Sequence, residues 1–387
     1  MGGPVNEHAS EHASARGEAS TPLRVGIVGA GAISGQYLRY FDDHGAAAGV
    51  RLVAVADLDA ARAEKAVAGR AGVRATTPDE VYAADDVDAV LNLTVPAAHA
   101  TVALAAIAGG KHVYGEKPLA STVEEGRRVL DAARAAGVRV GAAPDTVLGR
   151  GVQTARALVD AGRIGQPVAA TAFFACPGHE RWHPDPDFYY LPGGGPLFDM
   201  GPYYLTALVH LLGPVESVTG GAVRSGAERA IGSGPRAGER FPVEVATHVT
   251  GVLRHRGGAL STVVMSFDTV RHELPRIEVH GTAGSVSVPD PNTFEGPVRL
   301  ATRAAGEWAD VPLSHGYAAA GRGLGLADLG RALRTGGGAR ADGEVALHVL
   351  EVMEGLLRAA EEDRVVAVAS DVERPALVPE SALVAAD

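Results

Sequence analysis

The stretch Gly29-Ala30-Gly31-Ala32-Ile33-Ser34 closes a short apolar run and opens a helix-like segment, the setting in which a glycine turn can cradle a pyrophosphate. Gly29 would permit the tight turn and Gly31 the close approach of backbone to phosphate. The amides through Ala32 and Ile33 would then point at the anion from a helix N-terminus. Ser34 stands where a third glycine is usual, and a small residue there still allows helix and strand to pack. A second apolar run ends at Asp57, 28 residues after Gly29. That is longer than the usual spacing of about 20, and the segment 42–50 accounts for the excess. A carboxylate at this place can bind both ribose hydroxyls and would repel a 2′-phosphate, so the expected dinucleotide is NAD, with NADP disfavoured. The competing reading of Asp57 and Asp59 is two turn residues after a strand.

These groups need elements to hold them. Leu23–Val28, Arg51–Ala56, Val87–Leu93, 113–114 and 138–140 are apolar, β-branched runs separated by alanine-rich helical periodicity. The pattern predicts a parallel sheet covered on both faces over residues 22–145, a Rossmann domain. Thr122 to Glu125 reads as a capping box, and Gly137 as the stop of the same helix. After residue 146 the grammar changes. A helix over 150–161 is followed by strand-like runs near 167–175, 215–220, 243–254, 259–267, 276–281, 284–288 and 297–302. A helix at 203–212 interrupts them, and helices at 324–335 and 343–361 follow. This predicts an α+β domain over 146–372 with a large, mostly antiparallel open sheet, so the fold class is α/β. The Gly- and Arg-rich stretch 221–240 reads as a mobile surface loop. Residues 1–21 read as a disordered leader without the apolar core of a signal peptide, and 373–387 as a C-terminal tail.

The 387 residues carry 35 Lys and Arg against 46 Asp and Glu, a net charge of −11. An acidic chain without a basic patch disfavours nucleic acid and anionic membranes, and no apolar run reaches the length of a membrane span. The single cysteine, Cys176, cannot form an internal disulfide. It reads as a small buried residue and suits a cytoplasmic, reducing location. No cluster has metal-ligand spacing. His8 and His12 form an isolated i, i+4 pair, while His210, His248 and His348 sit in apolar contexts that suit structural histidines.

Two further stretches, Gly115-Glu116-Lys117-Pro118 and Gly195-Pro196-Leu197-Phe198-Asp199-Met200-Gly201-Pro202-Tyr203, narrow the chemistry. With the glycine turn and Thr94-Val95-Pro96-Ala97-Ala98-His99, they resemble the Gfo/Idh/MocA oxidoreductases over nearly all of residues 22–365. The resemblance implies that Lys117 lies beside the nicotinamide and the reacting hydroxyl, with Glu116 and Pro118 shaping its loop. It implies that Thr94, Pro96, His99 and Glu116 border the cofactor, and that Asp199 opens the catalytic segment of the second domain. Members of the family usually carry His four residues after that Asp; here the position holds Tyr203, as in glucose–fructose oxidoreductase.

Oxidation of a secondary alcohol by hydride transfer needs a base for the hydroxyl proton. A free tyrosine has a pKa near 10. Tyr203 is expected in the first turn of a helix, where the macrodipole favours a phenolate, with the Lys117 ammonium strengthening the effect. On this reading Tyr203 is the acid/base, Lys117 its electrostatic partner and Asp199 the orienter. The competing assignment makes Lys117 itself the base, and His183 is a further candidate. Gly178-His179-Glu180-Arg181-Trp182-His183-Pro184 concentrates aromatic and polar groups suited to a sugar face, with Trp182 and His183 as substrate contacts. The resulting expectation is an NAD-dependent dehydrogenase of a sugar, cyclitol or glycoside. The alternatives are glycoside cleavage through transient oxidation, and a non-catalytic regulator. An open sheet must cover its outer face, which predicts a homodimer or homotetramer.

Overall fold

A computed structural model describes residues 21–380. The expected leader up to residue 20, with His8 and His12, and the last part of the expected tail lie outside the described residues. The continuous apolar runs become β1 (Leu23–Val28), β2 (Val50–Ala56), β3 (Arg74–Thr76), β4 (Ala89–Asn92), β5 (His112–Gly115) and β6 (Val140–Ala142). They form one sheet of order β3-β2-β1-β4-β5-β6, with all pairs parallel. Val25, Ile27 and Leu91 are fully buried, because helices cover both faces. Those helices are α1 (Ser34–Ala48), α2 (Ala60–Val67), α3 (Pro78–Ala83), α4 (His99–Ala108) and α5 (Val123–Ala136). At α5 the Thr122 side chain accepts from the Glu125 amide, but the Glu125 carboxylate reaches Ser121 N rather than closing the box on Thr122. Gly137 ends α5 in the left-handed region, as expected.

After α6 (Arg150–Asp160), the chain builds a nine-stranded sheet. Its strands are β7 (Pro167–Ala175), β8 (Val215–Val223), β11 (His248–His255), β12 (Leu260–Ser266), β13 (Ile277–Gly281), β14 (Gly284–Val288), β15 (Val298–Thr302), β16 (Ala309–Val311) and β17 (Val366–Ala367). A separate ribbon pairs β9 (Glu228–Ala230) with β10 (Arg240–Pro242). The large sheet runs β16-β15-β14-β13-β7-β12-β11-β8-β17 and is antiparallel except for the β7–β12 pair. One face is covered by α6, α7 (Gly195–Leu212) and α9 (Gly343–Glu362). α8 (Leu324–Thr335) returns to pack on β2, β5 and β6, so the end of the chain also closes the first sheet. Part of the expected tail is docked as well: Val378 is fully buried and its amide donates to Gln153 Oε1 at 2.8 Å.

Three local expectations are corrected. The helix expected at 203–212 begins at Gly195, with Pro196 in its first turn, and runs through Pro202. Pro202 is a false start signal, since proline favours a first turn but can also sit inside a buried helix. The strand expected from 243 starts at His248. The stretch 221–240 is an anchored ribbon rather than a free loop. Ile231 and Phe241 are buried, and Arg229 pairs with Glu180 and Asp268.

Candidate active site

The glycine turn lies where β1 passes into α1. Gly29 has φ +102°, and a Cβ there would sit 2.7 Å from the Leu93 carbonyl. Only glycine tolerates both conditions. Nothing lies within 4 Å of a Cβ built on Gly31, so the second glycine faces open space. No side chain caps α1 and no acidic residue occupies its first turn. The amides of Gly31, Ala32 and Ile33, which the turn itself does not use, are the donor set a pyrophosphate requires. Asp57 Oδ2 accepts from Ala30 N at 2.7 Å, and Oδ1 accepts from Asp59 N at 2.9 Å. The carboxylate therefore braces the turn, and its remaining lone pairs can still accept hydroxyls. Leu58, almost fully exposed, and exposed Val95 flank this end of the sheet.

Thr94, Pro96 and His99 form the loop after β4. Thr94 Oγ1 donates to Asn92 Oδ1 at 2.6 Å. His99 is buried, with Nδ1 2.6 Å from Pro118 O and Nε2 3.0 Å from Thr94 O. Both ring nitrogens thus face carbonyls, and the one that carries the hydrogen donates. His99 ties the loop after β4 to the Lys117–Pro118 loop and presents no nitrogen to a ligand. Glu116 acts from the other side. Tyr37 Oη donates to Oε1 at 2.8 Å and the Lys117 amide to Oε2 at 3.0 Å.

The loop after β5 meets α7 at Lys117. Its Nζ donates to Asp199 Oδ1 at 2.9 Å and to Asp199 O at 2.7 Å, leaving one N–H free. Pro202 offers no amide to the carbonyl four residues earlier, and the next carbonyl in the helix, that of Asp199, is the one Lys117 takes. Burial alone would lower the Lys117 pKa, but the charges of Asp199, Tyr203 and Glu116 outweigh it and hold the ammonium well above the lysine range. Burial likewise opposes ionisation of Asp199, yet Lys117 and His179 bring its pKa down to about 2.

Tyr203 lies over the same site, with Lys117 Nζ 5.3 Å and the Arg322 guanidinium 5.2 Å from its ring centre. The expected activation of Tyr203 by a helix N-terminus does not hold. Because α7 starts at Gly195, Tyr203 is two turns in, beyond the reach of the dipole. Burial raises its pKa and outweighs the opposing cations Lys117 and Arg322.

Trp182 is half exposed at the rim, edge-on to His179 and His183. His183 accepts from the Asp185 amide at 3.1 Å and packs on Phe188 and Tyr189. It makes no hydrogen bond to Lys117, Asp199 or Tyr203. The histidine that does reach the pair is His179, whose Nε2 lies 2.9 Å from Asp199 Oδ2. The sequence singles out this segment but not the histidine that reaches Asp199, because spacing along a loop does not tell which side chain turns inward. Arg322 is not among the residues expected from sequence. It lies in a Gly-rich connection with no sequence signal, and it donates to Asn292 Oδ1 at 2.8 Å. Among the described residues no group of three or more His, Cys, Asp or Glu could hold a metal, and no helix is long and apolar enough to cross a membrane.

Residues 23–143 match the family model described as "Oxidoreductase family, NAD-binding Rossmann fold", and residues 152–287 match "GFO/IDH/MocA C-terminal domain". Inositol 2-dehydrogenase 3 of Saccharopolyspora erythraea is 41% identical over 151 residues, which is 38% of this chain and 44% of that protein. 1,5-Anhydro-D-fructose reductase of Ensifer adhaerens is 34% identical over 224 residues, 56% of this chain and 61% of that one. The matched stretches thus span less than two thirds of either relative. Levoglucosan dehydrogenase, solved in complex with NADH and L-sorbose, superposes with a TM-score of 0.75 at 22% identity, covering 90% of this chain and 99% of that one; this likeness shows the fold.

Proposed function

The chain belongs to the Gfo/Idh/MocA oxidoreductase family, whose first domain binds NAD, and from that premise we propose that it transfers a hydride between NAD and a secondary hydroxyl of a sugar, cyclitol or related polyol. The observation that carries the reading is the Lys117–Asp199 pair between the loop after β5 and α7, largely buried yet with one ammonium N–H unspent. NAD, when bound, supplies the hydride acceptor. The turn from Gly29 through Ile33 would hold its pyrophosphate, Asp57 its ribose, and Thr94 and Pro96 would border it. The names of the relatives and the aromatic rim at Trp182 and Tyr189 support a sugar-like substrate.

Lys117 is the proton-transfer residue of this proposal, and Tyr203 orients the substrate hydroxyl. That reverses the assignment favoured by the sequence, because Tyr203 lies two turns into α7 without the helix-end activation expected of it, whereas Lys117 is fixed by two bonds to Asp199 with one N–H left for the substrate oxygen. The free N–H of Lys117 donates to the oxygen of a ketone as it becomes an alcohol. In the opposite direction the neutral amine takes the hydroxyl proton, and Asp199 keeps Nζ aimed at that oxygen in both.

The direction of the Lys117 shift sets a pH dependence. A raised pKa keeps the ammonium at neutral pH, which is the form needed to reduce a ketone. Oxidation requires the amine, so its rate should climb roughly tenfold per pH unit between pH 7 and 9 while reduction stays nearly level. Initial rates in both directions over that range check this; parallel profiles would contradict it.

Asp57 should carry the preference for NAD. Asp57→Ala is expected to weaken NAD binding about tenfold, since the turn loses the Ala30 brace as well as the ribose contact. It should also narrow the preference over NADP. Titration of both cofactors by nicotinamide fluorescence reads the two effects.

The outer face of the nine-stranded sheet carries Phe173, Val252, Leu260 and Val264 among Thr171, Thr250 and Thr262. Val252 and Leu260 are 38% and 40% exposed. We place a second copy of the chain there. Light scattering should give twice or four times 39.6 kDa, and a monomer would count against it.

A further inference from the structure

We propose that His179 is a positioning residue, the third member of a Lys117–Asp199–His179 chain, which by donating its Nε2–H to Asp199 weakens the hold of Asp199 on the Lys117 ammonium. The inference rests on the assignment of Lys117 as the proton-transfer residue, and it adds a residue that the family's usual Lys, Asp and His positions do not include. An ionised carboxylate only accepts, so the ring nitrogen facing Asp199 Oδ2 at 2.9 Å must carry the hydrogen. The other nitrogen, Nδ1, is buried without a partner. The single polar bond made by this ring is therefore the one to Asp199.

The ring is held in place by shape rather than by further hydrogen bonds. Phe174, Trp182, Tyr189 and Phe267 surround it with centroids 4.6 to 6.4 Å away. The backbone under it is fixed next door. Glu180 is buried, accepts from Tyr190 Oη, and pairs with Arg229 of the β9–β10 ribbon at 2.8 Å. The ribbon thus locks the segment whose first residue points His179 at Asp199.

Asp199 is shared. Its Oδ1 faces the Lys117 ammonium and its Oδ2 faces His179. A donor on Oδ2 draws negative charge away from Oδ1, so the carboxylate binds the ammonium less tightly than it would alone. Lys117 is also faced by Tyr203 from α7 and by Glu116 at its own base, with Tyr189 on the rim side and Arg322 behind Tyr203. Of these groups only His179 donates a hydrogen bond to the oxygen of Asp199 that Lys117 does not use. Without it Lys117 should hold its proton longer and be a slower base.

The chain is suited to a direct test, because it contains three lysines: Lys65, Lys111 and Lys117. Trace acetylation with acetic anhydride at pH 9, read by peptide mass spectrometry, gives the rate at Lys117 relative to exposed Lys65 and needs no substrate. His179→Phe fits the aromatic surroundings but cannot donate. It should lower the Lys117 rate about three- to tenfold. His179→Gln, whose amide can replace Nε2–H, should stay within about twofold of wild type. His179→Asn, too short to reach Oδ2, should behave as Phe does and serves if the Phe variant fails to fold. An unchanged or faster Lys117 rate in the non-donating variants, or a Gln variant as slow as Phe, overturns the proposal. Retained turnover in Lys117→Met would instead overturn the assignment of Lys117, whatever the labelling shows.

Discussion

Lys117→Met should lower turnover by about 10²- to 10⁴-fold, the usual worth of a positioned proton-transfer group, while NADH binding changes by less than about fivefold. The side chain lies against α7, and two of its three protons are spent on Asp199. Removing it takes away the group that moves the proton, whereas the glycine turn and Asp57 that would hold the cofactor stand on β1 and β2. Methionine keeps the stem packed but leaves Asp199 without its counter-charge, so the rates are compared under conditions where urea unfolding shows the variant folded. Tyr203→Phe serves as the contrast. If Tyr203 only orients the hydroxyl, its loss should cost about tenfold and leave the pH profile in place. Single-turnover rates and an NADH titration on both variants decide between them. A Tyr203→Phe enzyme as slow as Lys117→Met would restore the tyrosine as acid/base.

Asp199→Asn should destabilise the fold by on the order of 3 kcal/mol, because it leaves a largely buried ammonium without its counter-charge. The pH dependence identifies the cause. The folded state holds the Asp199 pKa at about 2, below the ordinary aspartate value. Its contribution is therefore present above about pH 4 and is lost as pH falls towards 2, and is on the order of 2 kcal/mol. Lys117 contributes with the opposite sign. Its raised pKa gives stability that is complete below the ordinary lysine range and is lost only when pH rises through the raised value. The pair is thus whole at neutral pH. Urea unfolding of wild type and Asp199→Asn at pH 7, 5 and 3 should show the difference shrinking at the acid end. A difference constant over that range would mean that the charge is not what Asp199 contributes.

How far these features can be read from sequence follows the reach of local chemistry. Gly29, Gly31, Lys117 and Asp199 are legible because each stands in a short segment whose neighbours state its purpose: a strand before a turn, a proline after a lysine, a glycine-rich start to a helix. The parallel first sheet is legible because strands buried on both faces are apolar throughout. The start of α7 is not, since Pro196 and Pro202 both carry the signal of a first turn and only packing shows which begins the helix. The first-turn position expected for Tyr203 fails for the same reason: it depends on where that helix begins. The 221–240 stretch looks mobile because glycine and arginine dominate it. Its order comes from Arg229 pairing with Glu180 and Asp268, contacts 49 and 39 residues apart in sequence. His179 and Arg322 escape because inward orientation is a property of the folded loop.

The measurement that tests the central claim most directly is NADH formation at pH 9 by purified protein supplied with NAD and a panel of inositols, monosaccharides and glycosides, beside Lys117→Met. The account predicts net NADH release with at least one polyol and loss of the signal in the variant. Cleavage of a glycoside without net NADH would mean that oxidation is only transient, and NADH formed equally well by Lys117→Met, or by no polyol in a protein that binds NAD, would contradict the account.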